Sequence, residues 1–544
     1  MTPTSAAEDA SPFAPFRRRA FLWLWLGVLV SSIGGWAQMV GAQWMFVNDP
    51  NAATIVTLVQ SATTLPVMLL ALPAGVLADA FDRRWLLFGV QVYAIVVSSL
   101  LALLTALGMM PPVLLLAFTF AVGVGMAVMI PTWQPLITEL VPRSQLAAAT
   151  RLDMVSVNTS RAIGPAIAGL LIARAGVPAV FLFNACCAVL LIVVLLMWRR
   201  RWESAGPRER FLPALRAGGR YVRHEPVVRM ILLRLVMFVV PGTALWALLP
   251  LIASRQLGLD ASGYGLLFAA LGVGAVAGAL TLGQVKARLS SNAILNWVAL
   301  AFGLSLAALV LADSLWVALP LLMVAGYGWT ATASTLVSEL QLFLPGWVRA
   351  RALAVYMMAF MGTQAFISPL WGLITQLAGL PTALGIAAVL VIVSAAAGLA
   401  LRIPESADLD QSPAAFWGDA PLLLDAGLDD GPIAVSVEYD LDEANEAAFL
   451  EAMQDMRRSR LRSGSIQWTL YRVGEAPHRF VELFVVSSWD EHLRQHQGRL
   501  TADDQAIEDR AASLVIGAPR ARHLLPPETP RLPTADEAWE HDPR

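Results

Sequence analysis

The chain contains few charged residues and almost no cysteine. Asp, Glu, Lys and Arg make up 14% of its 544 residues, against 57% hydrophobic residues, and this balance excludes an ordinary soluble protein. The only cysteines, Cys186 and Cys187, are adjacent, and neighbours on one helix cannot adopt ordinary disulfide geometry. No G-x-x-x-x-G-K-[ST] loop occurs, so the chain lacks this sequence signature of ATP hydrolysis.

The charges that are present are distributed unevenly. Residues 403–544 hold 27 of the 40 acidic residues but only 13 of the 38 basic ones, which indicates a domain boundary near Ile403. We expect a cytoplasmic N-terminus (1–19), a six-helix bundle (20–198), a cytoplasmic loop (199–229), a second six-helix bundle (230–402), an acidic linker (403–431), an α+β domain (432–526) and a disordered tail (527–544).

Apolar runs dominate the first 402 residues. A helix needs about 20 apolar residues to cross a hydrocarbon core of about 30 Å. Twelve runs meet this length, at 20–46, 53–78, 85–107, 112–132, 148–173, 178–198, 230–253, 264–284, 293–311, 315–338, 352–377 and 381–402. Arginines cluster in alternate connections, which places both termini in the cytoplasm of a bacterium. The sequence therefore predicts an all-α protein of the inner membrane, with an α+β domain at its C-terminus.

Two stretches about 200 residues apart share one organisation. Pro142 is followed 23 residues later by Pro165, and Pro345 is followed 24 residues later by Pro369. Each pair brackets a basic turn and the start of an apolar span. A duplicated block of membrane helices is typical of transporters, whose two halves rock around a central site.

Two motifs carry a resemblance to known families. The segment GVLADAFDRR, from Gly75 to Arg84, resembles a loop signature of the major facilitator superfamily. The resemblance implies that Gly75, Asp79, Arg83 and Arg84 form a cytoplasmic gate, whereas a simple topology signal is the alternative. Asn158, Arg161, Gly164, Pro165 and Gly169 of the fifth span resemble the glycine–proline motif of drug and metabolite antiporters, which is associated with export.

The resemblance narrows when further segments are included. RYVRHEP and YGLLFAALGVGAVAGA, together with the two motifs above, resemble the enterobactin-exporter-like branch, also called the transmembrane secretion effector family. This resemblance implies twelve membrane helices and a transported small molecule. It covers nearly the whole chain, including the C-terminal domain.

Several polar residues within the spans are candidates for the transport site. Arg161 lies about 13 residues into its span, where a charge costs several kcal/mol unless it faces water or a partner. We interpret it as a cavity or gating residue, with a structural ion pair as the alternative. Gln38, Gln60 and Asp153 are further cavity candidates; helix–helix hydrogen bonds, or a solvated charge for Asp153, are the alternatives. Glu139 and Glu339 are candidates for proton coupling.

The C-terminal domain has a different periodicity. Apolar residues alternate from Ile433 to Tyr439, and further strands are predicted at 465–472 and 479–487, with helices at 442–460, 489–497 and 502–513. This β-α-β-β-α order is typical of a ferredoxin-like unit. It resembles dimeric α+β barrel domains of small monooxygenases, which implies a possible homodimer through this domain.

Two histidines in this domain have a spacing that can bind a metal. His492 and His496 lie four residues apart on one helix face. No cysteine or third histidine is placed in the sequence to complete a site, so we expect a structural or solvated helix face, with no metal and no cofactor.

The sequence thus favours an exporter in the lipid bilayer. We expect it to move a small amphipathic compound (a siderophore, a metabolite or a drug) in exchange for protons, with no nucleic-acid partner and no enzymatic activity. An importer of the same fold, and a membrane-tethered sensor or enzyme that uses the C-terminal domain, are the alternatives.

Overall fold

A computed structural model describes residues 11, 13–198, 211–404, 413–415 and 422–529. These residues form two compact units. The first unit lies within Met1–Arg208, Leu232–Ser338 and Tyr356–Ile403, and the second within Glu209–Ile231, Glu339–Val355 and Pro404–Arg544. The second unit therefore combines the C-terminal residues with two short stretches from the middle of the chain.

Twelve helices of the described residues are long and apolar enough to cross a membrane, which confirms the predicted number. They are α1 (Arg19–Trp44), α2 (Ala52–Ala80), α3 (Arg83–Ala106), α4 (Pro112–Leu140), α5 (Leu146–Ala175), α6 (Val177–Met197), then, after a short α7 (Phe211–His224), α8 (Pro226–Leu251), α9 (Ala261–Lys286), α10 (Ser291–Val310), α11 (Leu315–Phe343), α12 (Gly346–Ala378) and α13 (Leu380–Ala400).

These helices are apolar on all sides, as α6 illustrates. Phe181 and Leu191 are buried in the bundle, whereas Leu182 and Leu190 are exposed at its surface. In hydrocarbon the exposed leucines need no burial, and every backbone group is satisfied within the helix. Association between the helices therefore depends on close packing of small residues.

The contact between α5 and α9 is the clearest case of such packing. A Cβ atom added at Gly265 would lie 2.5 Å from the carbonyl oxygen of Pro165 and 3.0 Å from Cα of Gly169. One added at Gly272 would lie 2.5 Å from Cα of Ala162. The two backbones thus touch over two helical turns, and a larger side chain at either glycine must push the helices apart.

The second unit contains a four-stranded antiparallel sheet in the order β3-β4-β2-β6. A separate pair, β1 with β5, is also antiparallel. The strands are β1 (Pro413–Ala415), β2 (Ile433–Asp440), β3 (Gln467–Arg472), β4 (Arg479–Val486), β5 (Gln497–Thr501) and β6 (Arg520–Leu524). The helices are α14 (Glu446–Ser463), α15 (Trp489–His496) and α16 (Ala502–Ala512).

One face of this sheet forms an apolar core. Burial alternates strictly along β2 and β4, as the period-two pattern predicts for half-buried strands. Val435 and Val437 of β2 are buried in the same cluster as Phe449 and Met453 of α14. The helix therefore covers the apolar face of the sheet.

The structure differs from the sequence-based expectations in three places. The segment predicted as a loop at 199–229 contains α7, and three strands, β1, β5 and β6, were not predicted. Helix α4 continues to Leu140 and α12 begins at Gly346, beyond the predicted spans. Polar and charged residues near those helix ends lower the local hydropathy without breaking the helix, because they can reach water there. Most of the predicted linker and the tail from residue 530 onwards lie outside the described residues.

Replacing Gly265 by Val should destabilise the protein by about 1–3 kcal/mol, because the added methyl groups overpack the α5–α9 contact. Gly283→Val on the same helix is the control, since no atom lies within 4 Å of a Cβ added there. Thermal unfolding of the purified protein in detergent measures both variants. Equal melting temperatures for the two variants would contradict the close-packing assignment.

Candidate functional site

Arg161 of α5 lies between two indole rings. Its guanidinium carbon is 5.2 Å from the ring centroid of Trp36 on α1 and 5.9 Å from that of Trp246 on α8. Cation–π contacts of this kind contribute about 0.5–2 kcal/mol each and offset part of the cost of a charge among apolar helices. Arg161 Nε and Trp246 Nε1 are buried, and neither has a hydrogen-bond partner in the described part of the chain.

Further aromatic rings extend this contact across both six-helix halves. The ring of Trp246 lies 5.5 Å from Phe268 and 5.4 Å from Trp329, while Trp329 lies 5.7 Å from Phe360. We call the set the Arg161 cluster; it comprises Trp36, Arg161, Trp246, Phe268, Trp329 and Phe360. Sequence reasoning selected Arg161 by its charge. Nothing in an apolar run distinguishes the four aromatic residues of the second half from ordinary packing residues.

A chain of hydrogen bonds between neutral side chains also joins the halves. The Tyr264 hydroxyl donates to Gln43 Oε1 at 2.6 Å, Gln43 Nε2 donates to Gln60 Oε1 at 3.3 Å, and Gln60 Nε2 donates to Gln364 Oε1 at 3.3 Å. This glutamine ladder links α9, α1, α2 and α12 in that order. The structure thus places the cavity candidate Gln60 in an interhelical network, and it adds Gln364 and Tyr264, which the sequence did not reveal.

The other two cavity candidates lie within the first half. Gln38 Oε1 accepts hydrogen bonds from Ser98 Oγ at 2.7 Å and from Asn184 Nδ2 at 2.5 Å. It borders a cavity of about 200 Å³ that is also lined by Trp36. Asp153 is buried and accepts a hydrogen bond from Trp133 Nε1 at 2.8 Å, so it is not a solvated surface charge.

The predicted gate residues form separate contacts. Arg83 Nη1 lies 2.6 Å from Glu139 Oε1, which joins a gate candidate to a proton-coupling candidate. Arg84 donates to the carbonyls of Leu195 and Leu196, where the end of α6 has unsatisfied acceptors.

Two members of the predicted gate give a different result. The side chain of Asp79 lies outside the described residues. No described atom lies within 4 Å of a Cβ added at Gly75.

The remaining residues of the fifth-span motif have local or packing contacts. Asn158 Nδ2 donates to the carbonyl of Met154 in its own helix at 2.8 Å. A Cβ at Gly164 would lie 2.7 Å from Cβ of Trp36, and Gly169 faces α9 as described above. The motif therefore packs α5 against α1 and α9. Glu339, the second proton-coupling candidate, is buried near the end of α11.

The second unit contains a network of ion pairs and hydrogen bonds. It joins the C-terminal domain to the two mid-chain stretches of the same unit, Glu209–Ile231 and Glu339–Val355. Arg462 of α14 lies 2.6 Å from Glu225 Oε2 and 2.6 Å from Asp504 Oδ1, and all three side chains are largely buried. The other oxygen of Glu225 accepts from the backbone N–H of Val227 in the first turn of α8. A carboxylate is stabilised at a helix N-terminus.

Glu491 of α15 forms the other ion pairs of this network. It binds Arg499 through both oxygens, at 2.7 and 2.9 Å, and Arg220 of α7 at 2.6 Å. The indole N–H of Trp347, in the first turn of α12, donates to the Arg499 carbonyl at 3.1 Å. We call these contacts the docking network; its members are Arg220, Glu225, Trp347, Arg462, Glu491, Arg499 and Asp504.

The arginines determine the ionisation of the buried carboxylates in this network. Burial acts to raise the pKa of Asp504, but the charge of Arg462 outweighs it and leaves the pKa lowered. Burial acts in the same direction on Glu491, and the hydrogen bonds from Arg499 lower its pKa overall. Both carboxylates therefore remain ionised at neutral pH.

The predicted histidine face in this domain is not solvated. His492 is 2% exposed, and its Nε2 lies 3.2 Å from Nε2 of His496. A third histidine, His523 of β6, places its Nε2 3.0 Å from the same atom. Sequence reasoning missed His523 because the short, polar strand that carries it has no apolar alternation.

Comparison with known proteins adds a family assignment for the sequence. The profile of the family described as transmembrane secretion effector matches residues 10–530. The staphyloferrin A transporter of Staphylococcus aureus is 28% identical over 156 residues, which cover 28% of this chain and 39% of that protein. The enterobactin exporter EntS of Salmonella choleraesuis is 28% identical over 277 residues, covering 50% of this chain and 64% of that protein. Each match spans less than two thirds of the relative.

Solved transporter structures share the fold of the membrane helices. A bacterial homologue of the human lysosomal transporter Spinster superposes with a TM-score of 0.57 and 15% identity, over 71% of this chain and 97% of that chain. A bacterial homologue of the iron transporter ferroportin superposes with a TM-score of 0.56 and 15% identity, over 70% and 98% of the two chains. At these identities the likeness concerns the fold alone.

Replacing Arg462 by Gln should weaken the docking network by about 3–5 kcal/mol, because Glu225 and Asp504 would lose their shared buried partner. Hydrogen exchange of residues 220–231 in the full-length protein measures this effect as faster exchange. Arg458→Gln, on the same helix with a 55% exposed side chain, is the control and should change stability by less than about 1 kcal/mol. Unchanged exchange in Arg462→Gln would contradict the assignment.

The contribution of Asp504 to stability should depend on pH in one direction. Its pKa is lowered in the folded protein, so the stabilisation is present above the unfolded value of about 3.9 and is lost as pH falls through the folded value. Urea unfolding of wild type and Asp504→Asn should therefore differ by a constant amount above about pH 5, and by less below about pH 4. A difference that grows on acidification would contradict this sign.

Proposed function

Because the chain belongs to the transmembrane secretion effector family of the major facilitator superfamily, we propose that it exports a small amphipathic compound in exchange for protons. Membership of this family makes it a transporter of the multi-pass membrane class. The cargo, the outward direction and the proton coupling are the parts we propose.

The Arg161 cluster is the observation that carries the proposal. Its rings come from both six-helix halves, and a site between the halves is where a rocking transporter alternates access. Arg161 forms no ion pair within the described residues, and two buried N–H groups there lack acceptors. A cargo with a flat ring and an anionic or acceptor-rich group fits these surroundings, because it stacks on the indoles and accepts from the guanidinium.

The relatives suggest which cargo to test first. One is named a staphyloferrin A transporter and another an enterobactin exporter. We take a siderophore as the leading candidate for this chain, with other secondary metabolites and drugs next. The glycine–proline motif of α5 supports outward transport through its resemblance to the motif of antiporters.

The Arg83–Glu139 pair supplies a route for proton coupling. The two side chains are 23% and 30% exposed, and Glu139 lies one residue before the end of α4. Protonation of Glu139 removes its charge and weakens the hydrogen bond from Arg83. Uptake of a proton would therefore loosen the gate at the end of α4.

The C-terminal domain fits a regulatory module better than an enzyme. The four described strands of the main sheet lie side by side in the order β3-β4-β2-β6. Counted along the chain these are its second, third, first and fourth strands, and this order supports the ferredoxin-like interpretation. The docking network ties this domain to residues that flank α8 and α12. In this proposal both termini lie in the cytoplasm, and the domain regulates transport through these residues; pairing with a second copy is the alternative role.

Efflux of fluorescent compounds from cells tests the transport proposal. An anionic aromatic dye should leave cells that express the wild type, and a proton uncoupler should stop this loss. Arg161→Ala should reduce efflux by about tenfold, equivalent to ~1.4 kcal/mol, because the cluster loses its cation. Arg161→Lys should retain part of the activity, since it keeps the charge without the planar donor group.

Arg174→Ala is the matched control, because Arg174 is exposed in the last turn of α5, away from the Arg161 cluster. It should transport like the wild type. Normal efflux by Arg161→Ala at equal expression would overturn the role of the cluster. Accumulation of dye above the level in control cells would instead support the importer.

A further inference from the structure

The second unit contains a cavity of about 420 Å³, which we call the docking cavity. Residues of α7, α8, α11, α12, α14, α16 and β5 line it, and among them are five members of the docking network, Glu225, Trp347, Arg462, Arg499 and Asp504. Sites that bind small organic molecules have volumes of about 300–1,000 Å³ and combine apolar walls with a few polar groups. The size of the docking cavity therefore suits a small organic ligand.

One side of the docking cavity is aromatic and apolar. The ring of Tyr221 meets that of Trp347 edge-on, with 5.7 Å between the ring centroids and 86° between the planes. Val227, Phe343 and Ile507 add apolar surface. A flat or branched apolar body gains free energy by packing against such walls, because it leaves water.

The hydroxyl of Tyr221 is the polar group that points to a ligand. Tyr221 is 3% exposed, and its hydroxyl forms no hydrogen bond within the part of the chain that the structure describes. Burial raises the pKa of this hydroxyl, so it stays protonated and can both donate and accept. The charges that act on it all line the same cavity and belong to Arg462, Glu225, Asp504 and Asp503. A buried hydroxyl costs free energy unless it is hydrogen-bonded, and a ligand in the docking cavity would satisfy it.

The charges of the lining favour a cation over an anion. The described lining has four carboxylates and three guanidinium groups, which belong to Glu225, Asp455, Asp503, Asp504, Arg458, Arg462 and Arg499. Arg499 donates through two N–H groups to Glu491, which lies outside the lining. The carboxylates thus outnumber the guanidinium groups that remain to balance them. This negative excess lies beside two aromatic rings, which also attract cations.

We propose that the docking cavity binds an organic cation with an apolar or aromatic body, such as an aromatic amine. Its ammonium group donates to the Tyr221 hydroxyl and lies close to the carboxylates, while its body packs against Trp347, Val227 and Phe343. The docking cavity shares no residue with the Arg161 cluster, so this inference does not depend on the proposed transport function. The ligand contacts both α14 and the first turn of α8, and it thereby strengthens the docking network.

Two fluorescent probes of opposite charge test this proposal. N-dansylcadaverine ends in an ammonium group, and N-dansyl-6-aminohexanoate ends in a carboxylate on an arm of the same length. The full-length protein is purified in detergent, and binding is followed by dansyl fluorescence against a blank that contains detergent alone. We expect saturable binding of about one N-dansylcadaverine per chain, about tenfold tighter than binding of the anionic probe.

Variants of the lining separate the docking cavity from non-specific binding. Tyr221→Phe should weaken binding of N-dansylcadaverine by about two- to tenfold, because one hydrogen bond is lost. Asp503→Asn should weaken it without weakening the anionic probe, because the lining loses a negative charge. Tyr471→Phe and Asp442→Asn are the controls and should bind like the wild type, because both residues are exposed in the same domain and lie outside the lining.

Thermal unfolding without a probe shows which variants are folded, and Ile507→Trp, which fills the cavity, replaces a lining variant that is not. Equal affinities for the two probes, no saturable binding by the wild type, or unchanged binding in the folded lining variants would overturn the proposal. Loss of N-dansylcadaverine binding in Arg161→Ala would place the probe in the Arg161 cluster and would overturn it as well.

Discussion

The close approach of α5 to its neighbours is the constraint on which the membrane unit depends. Gly164 faces Cβ of Trp36, and Gly169 faces the backbone of α9 at Gly265. Arg161 lies on the same helix, one turn from Gly164, so these contacts fix its depth and its direction. The guanidinium is consequently held between an indole of each half, and any substitution that widens the packing also moves the charge.

The membrane helices could be predicted from the sequence, because each segment that crosses the lipid must itself be long and apolar. A run of about 20 apolar residues identifies a helix without reference to any partner. The contacts between helices have no such local signal. Gln60 and Gln364 are 304 residues apart, and nothing in the sequence around either glutamine shows that the two side chains form a hydrogen bond. Arg161 was recognisable only because a charge at that depth is rare.

In the C-terminal domain, too, the elements with a local sequence signal were predicted and those without one were missed. The alternation in β2 and β4 predicted both strands, since one face of each is buried. Strand β6 was missed because it carries arginines and a histidine at the edge of the sheet, and α7 because its segment contains two glycines and a proline. His523 and Arg220 lie on these two elements. The group of three histidines and the docking network were therefore incomplete at the level of sequence.

The glutamine ladder has a consequence for energy use. Its members are amides and one phenol, none of which titrates near neutral pH in ordinary surroundings. Hydrogen bonds between such groups have the same strength whatever the pH on either side of the membrane. The glutamine ladder also carries no net charge on which the membrane potential could act. Neither a pH gradient nor the membrane potential therefore acts directly on the glutamine ladder, and the free energy needed to separate the two halves there is the same under either.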